Sequence, residues 1–377
     1  MKTALKVIET LEQNGFEAYI VGGAVRDLLL GKTPHDIDVA TNAAPWQVKS
    51  FFSRTIDTGI DHGTVLVMLD GEGIEVTTFR TEGTYSDKRR PDTVEFVQSL
   101  EEDLKRRDFT VNAMALDKTQ AVIDLFGGRT DLEKRLIRAV GNPEERFQED
   151  ALRMLRAIRF SGQLDFQIDG ETLRSIQQQA EGIRSIAVER LKNEIDKIMV
   201  QGHTARSMGY LQKSGLSRKL PAGALFETDW SLYEPTGLPA GGWAYMLYRE
   251  KAEFKDIHAY KFSNEERKLI EQSLKAASLS EWDDWTYYQF SAEQLEIAAV
   301  LAGKKADIAS RKAALSIHTK SDLAANGADL MEWSGKKQGP WLKKWIEALE
   351  QNIVFGKLEN DKESIKDWFL NEYHSDS

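Results

Sequence analysis

The chain has 377 residues, more than the roughly 250–300 at which one hydrophobic core stops growing, so two or more domains are expected. Its 41% hydrophobic and 29% charged residues are those of a soluble globular protein and exclude disordered, collagen-like and fibrous classes. Fifty Lys and Arg against 60 Asp and Glu give a net charge of −10, which argues against a uniformly basic nucleic-acid binder but leaves room for a local basic strip.

Leu5, Val7, Ile8 and Leu11 give a helix-period face that stops at Asn14-Gly15. Ala18 to Val21 reads as a strand, Gly22-Gly23 opens a helix through Leu30, and Ile37 to Ala40 is a second strand. Thr64 to Leu69 and Gly73 to Phe79 are β-rich runs joined by Asp70-Gly71-Glu72, a hairpin signal. Val94 to Val97 and Ala121 to Leu125 complete the strands. After Gly141-Asn142-Pro143 the pattern turns helical: Arg146 to Phe160, Gly170 to Ala180 and Val188 to Met199. Pro221 to Gly242 reads as an irregular connection, and helices resume beyond it with breaks near Asn326-Gly327 and Gly339-Pro340. The fold class is therefore α+β: an N-terminal mixed α/β head with a small sheet, followed by an all-helical remainder.

There are no cysteines, which excludes disulfides, thiolate zinc sites and cysteine nucleophiles. No apolar run approaches the roughly 18 residues of a membrane helix, and Glu9 and Glu12 interrupt any signal-peptide core. Neither a membrane nor a protein partner is implied, and cytosol is the expected compartment. The oligomeric state is left open.

Chemistry concentrates in Val21-Gly22-Gly23-Ala24-Val25-Arg26-Asp27 and Pro34-His35-Asp36-Ile37-Asp38-Val39. A Gly-Gly turn lets backbone approach a ligand closely, and the helix it opens offers N–H groups to a phosphate. Asp36 and Asp38, two apart on the expected strand, should point to one face, and Glu75 lies on the neighbouring hairpin. Carboxylates beside a phosphate seat make an oxygen-ligand site for Mg²⁺, with Asp36 and Asp38 as ligands and Glu75 in support. Taken singly, a Gly-Gly pair is a turn and Asp-x-Asp a surface loop; the combination resembles the DNA polymerase β-like nucleotidyltransferase superfamily. Such a site supports two-metal nucleotidyl transfer.

Further segments follow: Arg106-Arg107-Asp108-Phe109-Thr110-Val111-Asn112-Ala113, Asp124-Leu125-Phe126-Gly127-Gly128, Glu149-Asp150-Ala151-Leu152-Arg153 and Val188-Glu189-Arg190-Leu191-Lys192-Asn193-Glu194. In that order they resemble the motifs of class II tRNA nucleotidyltransferases, the bacterial CCA-adding enzyme family. The resemblance implies addition of C, C and A to the tRNA 3′ end from CTP and ATP, with Mg²⁺ as cofactor. It implies a catalytic head over 1–140, a neck for base recognition over 141–200, a helical body over 201–265 and a tail over 266–377 that holds the tRNA elbow. Gly23, Arg26, Arg107, Asp150, Arg153, Arg156 and Arg159 are the implied nucleotide contacts. Asp108 reads as the N-cap of a short helix through Met114, Glu189 and Arg190 as braces of the neck, and Phe126-Gly127-Gly128 as a hinge.

Asp150 and Arg153 also carry an argument of their own. Three apart on a helix, they present an acceptor beside a donor. Cytosine and adenine offer an exocyclic N–H beside a ring-nitrogen acceptor and complement that pair. Uracil and guanine reverse it and would leave buried polar groups unpaired. Arg156 and Arg159 continue the spacing; without the motif context they would read as a solvated face.

Gly83 to Asp92 is glycine-bearing and charged, which marks a mobile loop and favours full CCA addition over CC-only addition. Lys304, Lys305, Arg311, Lys312 and Lys336, Lys337, Lys343, Lys344 form two basic clusters suited to an RNA backbone. The alternatives are an A-adding-only enzyme, a poly(A) polymerase on the same scaffold, and a catalytically silent tRNA-binding protein.

Overall fold

The computed structural model describes residues 1–34, 36–60, 63–82 and 94–375. The chain forms two compact units, Met1–Leu232 with Ala259–Lys261, and Tyr233–His258 with Phe262–Ser377.

The first unit opens with α1 (Lys2–Gln13), whose Ala4, Val7, Ile8 and Leu11 are buried at helical spacing. Then come β1 (Ala18–Val21), α2 (Gly23–Leu29), β2 (Asp38–Thr41), α3 (Pro45–Phe51), β3 (Thr55–Gly59), β4 (Thr64–Leu69) and β5 (Glu72–Thr78). They are followed by β6 (Arg80–Glu82), β7 (Val94–Phe96), α4 (Leu100–Lys105), β8 (Met114–Leu116), β9 (Val122–Asp124), α5 (Gly128–Glu133) and β10 (Leu136–Ile137). A seven-stranded sheet runs β3-β4-β5-β2-β1-β8-β9. It is antiparallel except at β2–β5, whose register sets Asp38 opposite Glu75. The β4–β5 turn is the expected hairpin: Asp70 and Gly71 both hold positive φ, at 52° and 82°, as a two-residue turn matched to strand twist requires. Val21, Ala40, Phe79, Leu104 and Ala115 form a buried cluster.

The same unit continues with α6 (Pro143–Glu149), α7 (Leu152–Leu164), β11 (Gln167–Ile168), α8 (Gly170–Gln179), α9 (Val188–Met199) and α10 (Thr204–Lys213). Asn142 caps α6 by accepting from the Glu144 amide, with Pro143 at the first helical position.

The second unit is helical: α11 (Pro239–Glu250), α12 (Asn264–Ala277), α13 (Asp284–Gln289), α14 (Ala292–Ala302), α15 (Ile308–Ala313), α16 (Gly327–Ser334), α17 (Pro340–Val354) and α18 (Lys362–Ser375). Capping boxes at Ser263/Glu266, Ser291/Gln294 and Asn326/Asp329 start α12, α14 and α16. Trp345 sits amid Trp368, Phe369 and Tyr373 at ring separations of 5.3–5.9 Å. Among the described residues, no helix is long and apolar enough to cross a membrane.

The α+β organisation is as expected, with local corrections. β2 begins at Asp38, so Asp36 precedes the strand and the two carboxylates are not fixed to one face by strand alternation. Arg146 to Phe160 is two helices, because Asp150 takes extended backbone at φ −139° and ψ 103°. Asp150 and Arg153 therefore do not share a helix. Asp108 is no N-cap: Thr110–Asn112 is one 3₁₀ turn preceded by Phe109, and the chain then enters β8. Pro221 to Gly242 already contains the start of α11 at Pro239. The loop Gly83 to Asp92 and His35 lie outside the described residues.

Candidate active site

A cavity of about 700 Å³ at the edge of β2 and β5 is lined by Pro34, Asp36, Asp38, Glu72, Gly73 and Glu75, among others. Strand β5 supplies Glu75 because its alternate residues Ile74 and Val76 are buried, which turns the acid outward. Asp38 is half-buried, while Asp36 and Glu75 are exposed. Burial pushes the Asp38 carboxyl above its ordinary range, and the charges of Glu75 and Asp36 add to this while Arg107 opposes it. None of these three carboxylates forms a salt bridge with a described residue.

Three hard oxygen donors facing one cavity fit a divalent cation of the Mg²⁺ kind. Among the described residues, no three acids or histidines already converge on a single point. That also fits, since Mg²⁺ is commonly held by one or two carboxylates plus substrate phosphates and water.

Arg107 lies beside this cluster. A Cβ on Gly22 would stand 2.8 Å from Arg107 Nη1, so the glycine, at φ +73°, is what lets the guanidinium lie against the start of α2. Arg107 Nε is buried with no hydrogen-bond partner among the described residues, an orphan donor of the sort a ligand satisfies. Gly23 follows at the first position of α2, against the Arg26 guanidinium.

Arg26, Arg156 and Arg159 meet around one ring, with their guanidinium carbons 5.6, 5.4 and 4.0 Å from the Phe160 centroid. Acids hold them there. Arg26 donates to Asp27 at 2.8 Å and to Asn112 at 2.7 Å. Asn112 in turn donates to Asp108, which accepts from Arg156 Nε and Nη2 at 2.9 and 2.7 Å. Arg159 Nε donates to Glu194 at 2.6 Å and Nη1 to Gln163 at 2.6 Å. Burial alone would raise the Asp108 and Glu194 carboxyls, but the facing arginines outweigh it and both are held below their usual range.

Arg153 and Asp150, the two residues expected to read the base, are held separately. Arg153 is buried and donates to Glu149 at 2.6 Å and to the Arg106 carbonyl at 3.0 Å. Asp150 accepts from the Leu152 amide at 3.0 Å and from Arg190 at 2.8 Å. Arg190, expected only to brace the neck, thus touches Asp150 directly; Glu189 pairs with Lys261 at 2.5 Å. The Phe126-Gly127-Gly128 segment is a tied corner, since Asp124 accepts from the Gly128 and Arg129 amides. A Cβ on Gly128 would lie 2.4 Å from the Thr110 carbonyl.

Sequence reasoning assigned no role to Asn112, Glu194, Phe160 or Asp103. Only Asp103 carried a local signal, standing three and four residues before Arg106 and Arg107. In the second unit, Lys304 donates to the Leu279 and Ser280 carbonyls and Lys312 to those of Tyr287 and Phe290. The first of these amines ties the turn that follows α12 and the second closes the end of α13.

Residues 18–138 match the Poly A polymerase head domain family, 165–224 the RNA- and SrmB-binding site of polymerase A, and 241–369 the tRNA nucleotidyltransferase domain 2. The CCA-adding enzyme of Geobacillus thermodenitrificans (strain NG80-2) is 42% identical over 393 residues, covering 97% of this chain and 96% of its own. That of Levilactobacillus brevis is 43% identical over 383 residues, covering 96% of each. The crystal structure of the Bacillus stearothermophilus CCA-adding enzyme in complex with CTP is similar at TM-score 0.88 and 37% identity, covering 99% of this chain and 98% of that one.

Proposed function

The chain belongs to the CCA-adding enzyme family, and we propose that it extends the tRNA 3′ end by C, C and A from CTP and ATP at the Asp36–Asp38–Glu75 cavity. The observation that carries this reading is the register pair Asp38–Glu75 across β2 and β5. It gathers acids at one cavity with no salt bridge to a described residue.

In the reaction the tRNA 3′-hydroxyl oxygen forms a bond to the α-phosphorus of the nucleotide. The bond from that phosphorus to the bridging oxygen breaks, pyrophosphate leaves, and the hydroxyl proton is lost. Asp36 and Asp38 would hold divalent cations, which the nucleotidyltransferase family uses; we propose a pair of Mg²⁺ ions, with Glu75 supporting the hydroxyl side. When bound, the pair would supply Lewis-acid stabilisation of the attacking and leaving oxygens. Gly23 lets the start of α2 approach the phosphates, and Arg107 donates to the triphosphate from its place against Gly22. Arg26, Arg156 and Arg159 form the cationic wall around Phe160.

Asp150 and Arg153 form the template. A carboxylate has about four lone-pair sites, so Asp150 keeps acceptor capacity for a base beyond the Leu152 amide and Arg190. Held fixed, the two residues accept the donor–acceptor edge of C or A and reject its reverse in U or G. The division into head 1–140, neck 141–200, body 201–265 and tail 266–377 goes with this reading, the tail holding the tRNA elbow.

The test is extension of a tRNA transcript lacking its 3′ CCA, with Mg²⁺ and CTP, ATP or both, beside an Asp36→Ala, Asp38→Ala double variant. Two additions with CTP alone, one more with ATP, and none by the variant are expected. A single A added only to tRNA ending in CC, or a long A ladder, would replace the reading with an A-adding enzyme or a poly(A) polymerase. Binding without extension would leave a silent tRNA binder.

A further inference from the structure

Asp103 lies on α4, outside every segment that the sequence singled out, and its side chain is 0% exposed. A buried carboxylate is costly unless paired, and this one is paired twice. One oxygen accepts from Arg106 Nε at 2.9 Å and Nη2 at 2.7 Å, the other from Arg107 Nη2 at 3.1 Å. Among the described residues, Asp103 is the acid to which Arg107 is bonded.

Each arginine leads on to a recognition element. The free edge of Arg107 lies on Gly22, with its buried Nε unpartnered among the described residues and its charge felt by Asp38. A long side chain has many rotamers, and a two-sided clamp removes most of them before a ligand arrives. Arg106 offers its backbone carbonyl to Arg153 Nη2 at 3.0 Å, so the anchor that fixes the Arg106 side chain steadies the peptide on which Arg153 rests.

We propose that Asp103 is a positioning residue for nucleotide binding: it fixes the Arg107 guanidinium against Gly22 for the triphosphate and, through Arg106, the carbonyl that seats Arg153. The proposal rests on the reading of Arg107 as a triphosphate contact. It assigns Asp103 no contact with substrate.

The test is equilibrium binding of CTP and of CMP to the full chain as wild type, Asp103→Asn, Arg107→Ala and the double variant. CMP lacks the β- and γ-phosphates, so a general loss of structure lowers both affinities while a misplaced Arg107 lowers the CTP:CMP ratio. Asp103→Asn is expected to lower that ratio about ten-fold, the order of a small misplacement of a binding group. It should lower it no further in the Arg107→Ala background, since two changes acting through one group are not additive. An unchanged ratio in Asp103→Asn, or a full additional loss in the double variant, overturns the proposal. An unchanged ratio in Arg107→Ala instead overturns the triphosphate reading beneath it. If Asp103→Asn does not fold, it is combined with Arg106→Gln, which removes one of the two cations that face Asp103, and compared with Arg106→Gln alone. The same fall is expected, and its absence is equally fatal.

Discussion

The pair between Arg159 and Glu194 offers a quantitative check of the arginine cluster. Glu194 is 5% and Arg159 10% exposed at the side chain, so solvent screens the pair little. Removing one partner of a buried pair costs about 3–5 kcal/mol. In Glu194→Gln an amide oxygen can still accept from Arg159 Nε, retaining about 0.5–1.5 kcal/mol, which leaves an expected loss of about 2–4 kcal/mol. At roughly 2–4 °C per kcal/mol for a domain of this size, the larger unit should melt some 4–16 °C lower. Glu194 is held below its ordinary 4.5 by Arg159 and Arg156, which outweigh the opposing effect of burial. Its contribution is therefore complete above the unfolded carboxyl range and is lost as pH falls through the lower folded value. Urea denaturation at pH 7 and near pH 3 measures both. A loss below about 0.5 kcal/mol at pH 7, the scale of an ordinary surface change, or a gap that widens towards acid, would refute the reasoning.

Gly22→Ala forces a side chain onto φ +73° and 2.8 Å from Arg107; it should cost about 1–3 kcal/mol and weaken CTP more than CMP, read by urea denaturation and nucleotide binding. Gly128→Ala drives a methyl to 2.4 Å from the Thr110 carbonyl and 2.9 Å from Met114, for a loss of about 1–3 kcal/mol in the same denaturation assay. Lys312→Ala strips a donor from the Tyr287 and Phe290 carbonyls and should lower the stability of the second unit by about 1 kcal/mol while leaving the salt dependence of tRNA binding alone. Lys343→Ala, at an exposed position on α17, should do the reverse, reducing the slope of log K against log salt by about 0.7–0.9 if it meets a phosphate.

What the sequence made visible was local. α1 and the β4–β5 hairpin follow from spacing and from Asp70-Gly71, and the family motifs follow from short strings of residues. β8 was missed because Met114, Ala115 and Leu116 are all buried, so no alternation marks them as a strand. The break between α6 and α7 was missed because neither glycine nor proline stands there; Asp150 itself takes the extended backbone. The strand expected from Ile37 already begins after Asp36, and β2 begins one residue later still, at Asp38, so strand alternation does not govern where Asp36 points. The partners of the recognition arginines were out of reach for a different reason. Arg156 finds Asp108 48 residues away and Arg159 finds Glu194 35 away, and such pairings belong to tertiary packing rather than to any spacing rule.

Those pairings also explain how a chain of net charge −10 can handle polyanions. The relevant field is that of a few guanidiniums at fixed places, not of the whole surface. Each arginine assigned to the nucleotide is already held by the protein: Arg26 by Asp27 and Asn112, Arg107 by Asp103, Arg153 by Glu149, Arg156 by Asp108 and Arg159 by Glu194. Bare cations would attract any phosphate and adapt to any base. Anchored ones spend part of their charge on the protein and, in return, enter binding with their rotamers already restricted, so that less ordering entropy opposes the complex. The cost is part of their attraction for phosphate, and the gain is a geometry set before the ligand arrives. On the proposed reading, an anchored Arg153 and an anchored Asp150 keep donor and acceptor in fixed places, so the reversed edge of U or G would leave polar groups unpaired.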